Sequence, residues 1–176
     1  MRGELDLCGF SVFPSTHEDI HDIKIIDSAS LLSGVNESWF IGRQETYPMM
    51  FFVAKLHHSN RVVGYFTAAD AGAIGYYNES LPGFVYLSRF AVSEGLRRCG
   101  IGTGLYNTMI DSIMRMPQRY RGVVGDVRKS NRDSLSFFGS KGFREYEELS
   151  RPHWYNNGRT DDDRHKIVMY KLFPGR

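Results

Sequence analysis

Cysteine is scarce in this chain of 176 residues, which contains only Cys8 and Cys99. Two cysteines cannot form the disulfide framework of a small secreted domain, so we expect both thiols to be reduced. Long hydrophobic runs are also lacking, because no stretch of about eighteen apolar residues is present to form a membrane-spanning helix. The N-terminal residues have neither the apolar stretch nor the cleavage site of a secretory signal. We therefore expect a cytoplasmic protein with no membrane partner.

A large excess of one charge is absent as well. Lys and Arg total 22 and Asp and Glu total 20, which leaves a net charge of +2. This excess is too small to indicate nucleic acid as the main partner. The hydrophobic share of 41% and the charged share of 24% are those of a globular protein. With no internal repeat and no low-complexity linker, we expect a single domain over residues 1–176.

Hydrophobic patterns predict strands and helices that alternate in the middle of the chain. We expect strands over residues 9–13, 50–56, 61–68, 84–92, 122–128, 143–149 and 165–173. We expect helices after a capping box at Ser15 and Glu18, within residues 31–46, between the fourth predicted strand and Pro117, and over residues 133–141. Because hairpins dominate the two ends, this order predicts an α/β (α+β) fold around one mixed sheet.

The most informative segment is the glycine-rich turn after the fourth predicted strand, which reads from Arg97 to Gly104 as RRCGIGTG. Glycines let the backbone approach an anion, and the start of a helix offers free N–H groups to a phosphate. The turn is neither a Walker A loop nor a G-x-G-x-x-G fingerprint, because the required spacing is missing. By itself the segment also fits an ordinary turn, in which the glycines only ease the backbone conformation and the arginines are solvated.

This turn resembles motif A of the GCN5-related N-acetyltransferases, Arg/Gln-x-x-Gly-x-Gly/Ala, at Arg97, Gly100 and Gly102. The segment from Asn131 to Phe143 is similar to the family's N-x-x-A-x-x-F-Y-x-x-x-G-F motif, with Ser134 in place of alanine. The resemblance covers residues 50–172 and leaves residues 1–49 for an N-terminal strand and substrate-side helices. It implies a twisted mixed sheet with helices on both faces, whose fourth and fifth strands splay apart at a bulge.

The same resemblance implies acetyl-CoA as a cosubstrate. In this family the backbone amides of motif A hold the pyrophosphate, and the preceding strand pairs with the pantetheine arm. A backbone N–H at Ala91 or Val92 is expected to stabilise the oxyanion. Asn131 is expected to bond the pantetheine region or to hold its own loop. The residues expected to bind the cofactor are Phe90, Ala91, Val92, Arg97, Arg98, Cys99, Gly100, Ile101, Gly102, Thr103, Asn131, Phe137, Phe138 and Lys141.

An acid on the fifth predicted strand is the candidate general base. The stretch from Gly125 to Asn131 is similar to the L-E-V-R-x-S-N segment of N-terminal and ribosomal-protein alanine acetyltransferases. In those enzymes the acid five residues before the asparagine removes the proton of the amine, and Asp126 matches it. An ammonium cannot attack a thioester, which explains the need for such a group. The alternative is a structural acid that pairs with Arg128 or with a backbone N–H.

The second motif departs from the family pattern at Phe138. The family usually has a tyrosine there, whose hydroxyl protonates the departing thiolate, and phenylalanine has no proton to donate. The resemblance implies Tyr155 as a substitute, because His153-Trp154-Tyr155 resembles the aromatic loop that grips the first residues of the substrate. Packing within a surface loop is the alternative for Tyr155. The departure also fits a protein that binds acyl-CoA without turnover.

We therefore predict an acetyl-CoA-dependent N-acetyltransferase that acts on a primary amine, with Asp126 and Tyr155 as catalytic residues. The acceptor is a peptide N-terminus, a lysine or a small amine, and the protein is a monomer or a homodimer. We expect no metal, although His17-Glu18-Asp19-Ile20-His21 matches the zinc-protease pattern H-E-x-x-H. That pattern lies in the first turn of a predicted helix, where Glu18 is explained as a capping residue.

Overall fold

The computed structural model describes residues 9–31, 35–72, 82–117, 120–146 and 166–174. Within these ranges the chain forms seven strands and four α-helices, together with three short 3₁₀ turns. The strands are β1 (Phe10–Pro14), β2 (Phe51–Leu56), β3 (Val62–Asp70), β4 (Phe84–Val92), β5 (Gly122–Arg128), β6 (Arg144–Glu145) and β7 (Lys166–Leu172). The helices are α1 (Ile20–Ser30), α2 (Glu37–Thr46), α3 (Ile101–Arg115) and α4 (Arg132–Ser140).

The strands form one mixed sheet in the order β1-β2-β3-β4-β5-β7-β6. The pairs β1–β2, β2–β3, β5–β7 and β6–β7 are antiparallel, whereas β4–β5 is parallel. This confirms the predicted mixed α/β architecture. The chain divides into two compact units, residues 1–68 with 89–116 and residues 69–88 with 117–176. The single domain expected from the sequence stays a prediction.

Helices cover both faces of the sheet in the first unit. On one face Ile23 of α1 and Phe40 of α2 pack in the same buried cluster as Phe51. On the other face α3 lies so close to β3 that a Cβ added to Gly64 would be 3.1 Å from Leu105 Cδ1. Because side chains alternate along a strand, neighbouring residues of β2 and β3 pack against helices on opposite faces of the sheet. Glycine at position 64 is therefore what permits α3 to pack this closely.

A buried ion pair joins α1 to β4 in the first unit. The Arg89 guanidinium donates from Nε to Asp27 Oδ1 at 2.7 Å and from Nη2 to Oδ2 at 2.8 Å. The Tyr65 hydroxyl also donates to Asp27, which is fully buried. Burial, and then the charge of Asp27, raises the pKa of Tyr65 far above its usual value, so the hydroxyl stays a donor. Burial alone would lower the pKa of Arg89, but its hydrogen bonds and charge interactions with Asp27 and Tyr65 leave it raised.

The second unit is built around β5, which has β4 on one side and β7 on the other. The parallel pairing of β4 with β5 covers three residue pairs, from Phe84↔Gly122 to Tyr86↔Val124. All seven residues of β5 pair with β7. Within the described strands, Gly125–Arg128 therefore pair with β7 alone. If β4 and β5 splay apart as predicted, their hydrogen-bonded ladder must end early, and it ends after three residue pairs.

The structure confirms most predicted elements and corrects three expectations. The bounds of β4 and β5 are those predicted, and Gly142 follows α4 with φ of +82°. The capping box lies one residue later than expected, because the backbone N–H of Thr16 donates to Asp19 Oδ2 at 2.9 Å. That shift arises because a 3₁₀ turn at His17–Asp19 precedes α1. The sixth predicted strand is also shorter: β6 is Arg144–Glu145, and residues 147–149 lie outside the described residues.

The third correction concerns Cys99, which was expected to be a reduced thiol. Cys99 is disulfide-bonded. The other cysteine of the sequence, Cys8, lies outside the described residues. The expectation of a reduced thiol was therefore wrong for Cys99.

Replacement of Asp27 by alanine tests the buried ion pair. Because Arg89 would remain buried without its counter-charge, we expect the free energy of unfolding to fall by about 3–5 kcal/mol. The measurement is urea denaturation followed by circular dichroism. Asp111→Ala, at an exposed position of α3, is the matched control and should change stability by less than about 0.5 kcal/mol. Equal stability of the two variants would contradict this role for the pair.

Candidate active site

The glycine-rich turn of the first unit has the backbone of an anion cradle. Arg98 and Gly100 both adopt left-handed conformations, with φ of +68° and +81°. Gly100 is the residue that precedes α3. A Cβ at Gly100 would meet nothing within 4 Å, so its φ rather than a lack of space favours glycine. These two residues bend the chain from the end of β4 into α3.

The N-terminus of α3 has the features of an anion site. The N–H groups of Ile101 and Gly102 have no carbonyl partner inside the helix, and no side chain caps it. The first turn holds no acid that would repel an anion. The side chains of Arg97 and Arg98 are exposed just before it. The positive end of α3, the exposed guanidinium groups and the unpaired backbone N–H groups are the features that bind a phosphate group in proteins.

The end of β4 lies beside this turn in the first unit. Phe90 stacks on Phe66 of β3, with ring centroids 4.5 Å apart and 30° between the planes. Ala91 is buried, and Val92 is half-buried. The Nε of Arg97 approaches the carbonyl oxygen of Val92 at 3.5 Å, which is the limit of a hydrogen bond. The predicted cofactor-binding residues from Phe90 to Thr103 are thus one continuous stretch that runs from the strand end through the turn into the helix.

Asp126 lies in the second unit and is held by two side chains. The Nζ of Lys166 lies 3.2 Å from Asp126 Oδ2, and the Asp126 side chain is 3% exposed. The hydroxyl of Tyr86 donates to the same oxygen at 3.3 Å. The structural alternative named Arg128 or a backbone N–H as the partner, and the observed ion pair is with Lys166. A buried carboxylate needs such a counter-charge, because burial without one is unfavourable.

A small cavity of about 20 Å³ brings the predicted acid position and Phe138 together in the second unit. Its walls are Leu87, Gly125, Asp126, Val127, Phe138, Phe143 and Met169. Side chains alternate along β5, so the Asp126 carboxylate points to the face opposite Gly125 and Val127. The Phe138 ring is 8% exposed and packs against Phe143 with centroids 5.1 Å apart. Phe138 thus contributes an apolar wall.

Three other predicted residues lie on α4 or at its two ends. The Oδ1 of Asn131 accepts a hydrogen bond from the backbone N–H of Ser134 at 3.1 Å, which caps the helix. This geometry matches the expectation that Asn131 holds its own loop. Phe137 is half-buried, and the Nζ of Lys141 lies 5.4 Å from the centroid of its ring. Lys141 therefore adds a positive charge at the C-terminal end of α4.

Sequence reasoning missed Tyr86 and Lys166, which both contact Asp126. Neither could be found from the sequence, because each depends on a strand register. Tyr86 pairs with Val124 in the β4–β5 register and so shares a face with Asp126, and Lys166 reaches Asp126 through the register of β5 with β7. The candidate catalytic residue Tyr155 lies outside the described residues. Among the residues that the structure describes, no three potential metal ligands cluster, and His17 and His21 have no third partner.

Comparisons with known proteins identify the family and the fold. The model of the acetyltransferase (GNAT) family matches residues 18–143, which is more than half of the chain. None of the curated protein sequences matches the chain significantly. Within the described residues, no helix combines the length and the apolar character needed to cross a membrane.

Solved structures show the same fold at low sequence identity. Ard1 from Thermoplasma volcanium is 20% identical with a TM-score of 0.76, over 93% of this chain and 97% of that protein. Arabidopsis thaliana Naa50, in complex with the bisubstrate analogue CoA-Ac-MVNAL, is 18% identical with a TM-score of 0.72, over 94% and 99%. The Escherichia coli ribosomal-protein-S18-alanine N-acetyltransferase is 20% identical with a TM-score of 0.70, over 93% of each chain.

The cap of α4 can be tested through Asn131. Asn131→Ala removes the acceptor for the Ser134 N–H, and we expect it to lower the free energy of unfolding by about 1 kcal/mol. Asn131→Asp keeps an acceptor oxygen and should retain the stability of the parent. Ser136→Ala, at an exposed position of the same helix, serves as the control. Urea denaturation provides the measurement, and equal losses for the alanine and aspartate variants would refute the capping role.

Proposed function

Because this chain belongs to the acetyltransferase (GNAT) family, we propose that it transfers the acetyl group of acetyl-CoA to a primary amine. The observation that carries the proposal is the turn from Arg97 to Thr103, with its two left-handed residues and the uncapped N-terminus of α3. These features suit a pyrophosphate, which is the most strongly charged part of the cosubstrate near its pantetheine arm. Acyl transfer is the activity of the family.

The first unit supplies the residues that would bind acetyl-CoA. The backbone N–H groups at the start of α3 would bind the pyrophosphate, and Arg97 and Arg98 would compensate its charge. The edge of β4 from Phe90 to Val92 would pair with the pantetheine arm through backbone groups. A backbone N–H at this edge would also stabilise the oxyanion. The bound cosubstrate supplies an activated thioester carbonyl, and the protein supplies its orientation.

The second unit supplies the acid that would handle the acceptor. The nitrogen of the amine forms a bond to the carbonyl carbon of the thioester, and the carbon–sulfur bond breaks. Before this step the acceptor ammonium must lose a proton, and Asp126 would bind the ammonium or accept that proton. Lys166 and Tyr86 hold the carboxylate in a single orientation through their bonds to Oδ2. Lys166 is a positioning residue in this proposal.

Protonation of the departing thiolate needs a group other than Phe138. The Tyr86 hydroxyl is one candidate, because it lies 3.3 Å from Asp126 Oδ2 and can exchange a proton with it. Tyr155 is the second candidate and rests on the family resemblance of its loop. A water molecule is the third, since the thiolate is a stable leaving group near neutral pH.

A protein N-terminus is the acceptor that we favour. Two of the similar structures support this: the bisubstrate analogue in Naa50 joins CoA to a peptide, and the bacterial enzyme acts on a ribosomal-protein alanine. The sequence from Gly125 to Asn131 resembles the corresponding segment of N-terminal acetyltransferases. A small-molecule amine is the other acceptor class for the same chemistry.

One observation favours a second function, that of an acyl-CoA-binding module without turnover. Phe138 occupies the position at which the family usually has a tyrosine, and its ring is buried against Phe143. In that case the anion cradle of the first unit would be retained while the proton donor is lost.

Phe138→Tyr distinguishes the two functions, because it should raise turnover strongly only if the missing hydroxyl limits the reaction.

The role of Asp126 can be tested with Asp126→Asn, which keeps the shape of the side chain and removes its charge. We expect kcat for acetyl transfer to fall by about 10²–10⁴-fold, while the affinity for acetyl-CoA is unchanged. Product formation is measured by mass spectrometry and cofactor affinity by calorimetry. Asp133→Asn, at an exposed acid on α4, is the matched control. Full activity of Asp126→Asn would remove Asp126 from the mechanism.

A further inference from the structure

The register of β5 with β7 places two cations directly opposite each other. Arg128 pairs with Lys166, and Asp126 pairs with Val168. Residues that oppose each other in an antiparallel pair share a face of the sheet, so Arg128 and Lys166 lie on the face that carries the Asp126 carboxylate. Like charges in directly opposite positions destabilise a sheet. A negative group is therefore favoured at this position.

Among the described residues of the second unit, the charges on this face do not balance. Lys166 is paired with Asp126 at 3.2 Å, whereas the Arg128 side chain forms no ion pair in the described ranges. One carboxylate thus faces two cations. A third cation, Arg144, shares the face through its pairing with Tyr170, but it is exposed and about 13 Å further along β7. The unbalanced charge therefore lies at Arg128, next to the candidate base.

We propose that Arg128 selects acceptors that carry a carboxylate close to the reacting amine. This inference rests on the proposed function, in which Asp126 receives the amine. Asp126 and Arg128 are two residues apart on one strand face, so their Cα atoms are about 7 Å apart. In an N-terminal peptide, an acidic side chain at the first or second residue spans such a distance. Arg128 would bind this carboxylate through its planar guanidinium, and Lys166 would stay with Asp126.

A phosphate group of CoA is the other anion that Arg128 would attract. The two sources make different predictions for Arg128→Gln. If Arg128 binds the acceptor, this variant changes the discrimination between acidic and neutral peptides and binds CoA and dephospho-CoA as the parent does. If Arg128 binds a phosphate of the cofactor, the variant weakens CoA binding and has no effect on peptide discrimination.

The test is calorimetric binding of peptides to the CoA complex of the protein. The peptides differ only in Asp or Asn at the first or second residue. We expect the parent to bind one of the Asp peptides about tenfold or more tightly than its Asn counterpart. Arg128→Gln should abolish this ratio, and Arg144→Gln should leave it unchanged. Arg128→Lys should keep part of it, because the charge stays while the planar guanidinium is lost. Equal binding of Asp and Asn peptides by the parent, or an unchanged ratio in Arg128→Gln, would overturn the proposal.

Turnover of the same peptides with acetyl-CoA separates this inference from the proposed function. If the Asp peptides bind more tightly but no acetylated product forms, the selectivity stands and the acetyltransferase reaction fails. If Asp and Asn peptides are acetylated and bound equally, the reaction stands and the selectivity fails. Circular dichroism of Arg128→Gln and Arg128→Lys shows whether both variants are folded. If both are folded, a loss of selectivity in the glutamine variant is due to the lost positive charge.

Discussion

The contact between Arg89 and Asp27 is the constraint on which the architecture of the first unit depends. It joins α1 to β4 through a bidentate ion pair in which Asp27 is fully buried and Arg89 largely so, and the Tyr65 hydroxyl also bonds the carboxylate. A buried pair adds little stability compared with an apolar core, but neither partner can be removed alone without leaving a buried charge. Arg89 directly precedes the strand end at Phe90, so the pair also fixes the segment that leads into the anion cradle.

In the second unit the corresponding constraint is the end of the β4–β5 ladder after Tyr86 and Val124. Past this point β5 pairs with β7 alone, and Asp126 takes its counter-charge from Lys166 of that strand. Among the described residues, the same register leaves Arg128 opposite Lys166 without a carboxylate partner. In the proposed function, recognition of an amine and recognition of an acidic group beside it would both depend on this strand pairing.

Local patterns were sufficient to predict β4, β5, the turn at Gly100 and the position of Asp126, because each depends on residues adjacent in the sequence. The partners of buried charges could not be predicted, since Asp27 and Arg89 are 62 positions apart and Asp126 and Lys166 are 40 apart. The capping box was misplaced by one residue because the sequence offered both Ser15–Glu18 and Thr16–Asp19, and only the 3₁₀ turn before α1 distinguishes them. Tyr155 lies outside the described residues and remains a prediction.

The most direct test of the account is whether the purified protein acetylates a primary amine. A mixed pool of N-terminal peptides, lysine peptides, polyamines and aminoglycosides is incubated with the protein and acetyl-CoA and analysed by mass spectrometry. The account predicts that one acceptor class gains the mass of one acetyl group, with release of an equal amount of free CoA. Tight binding of acetyl-CoA with no acetylated product and no released CoA would contradict it and would favour the acyl-CoA-binding function.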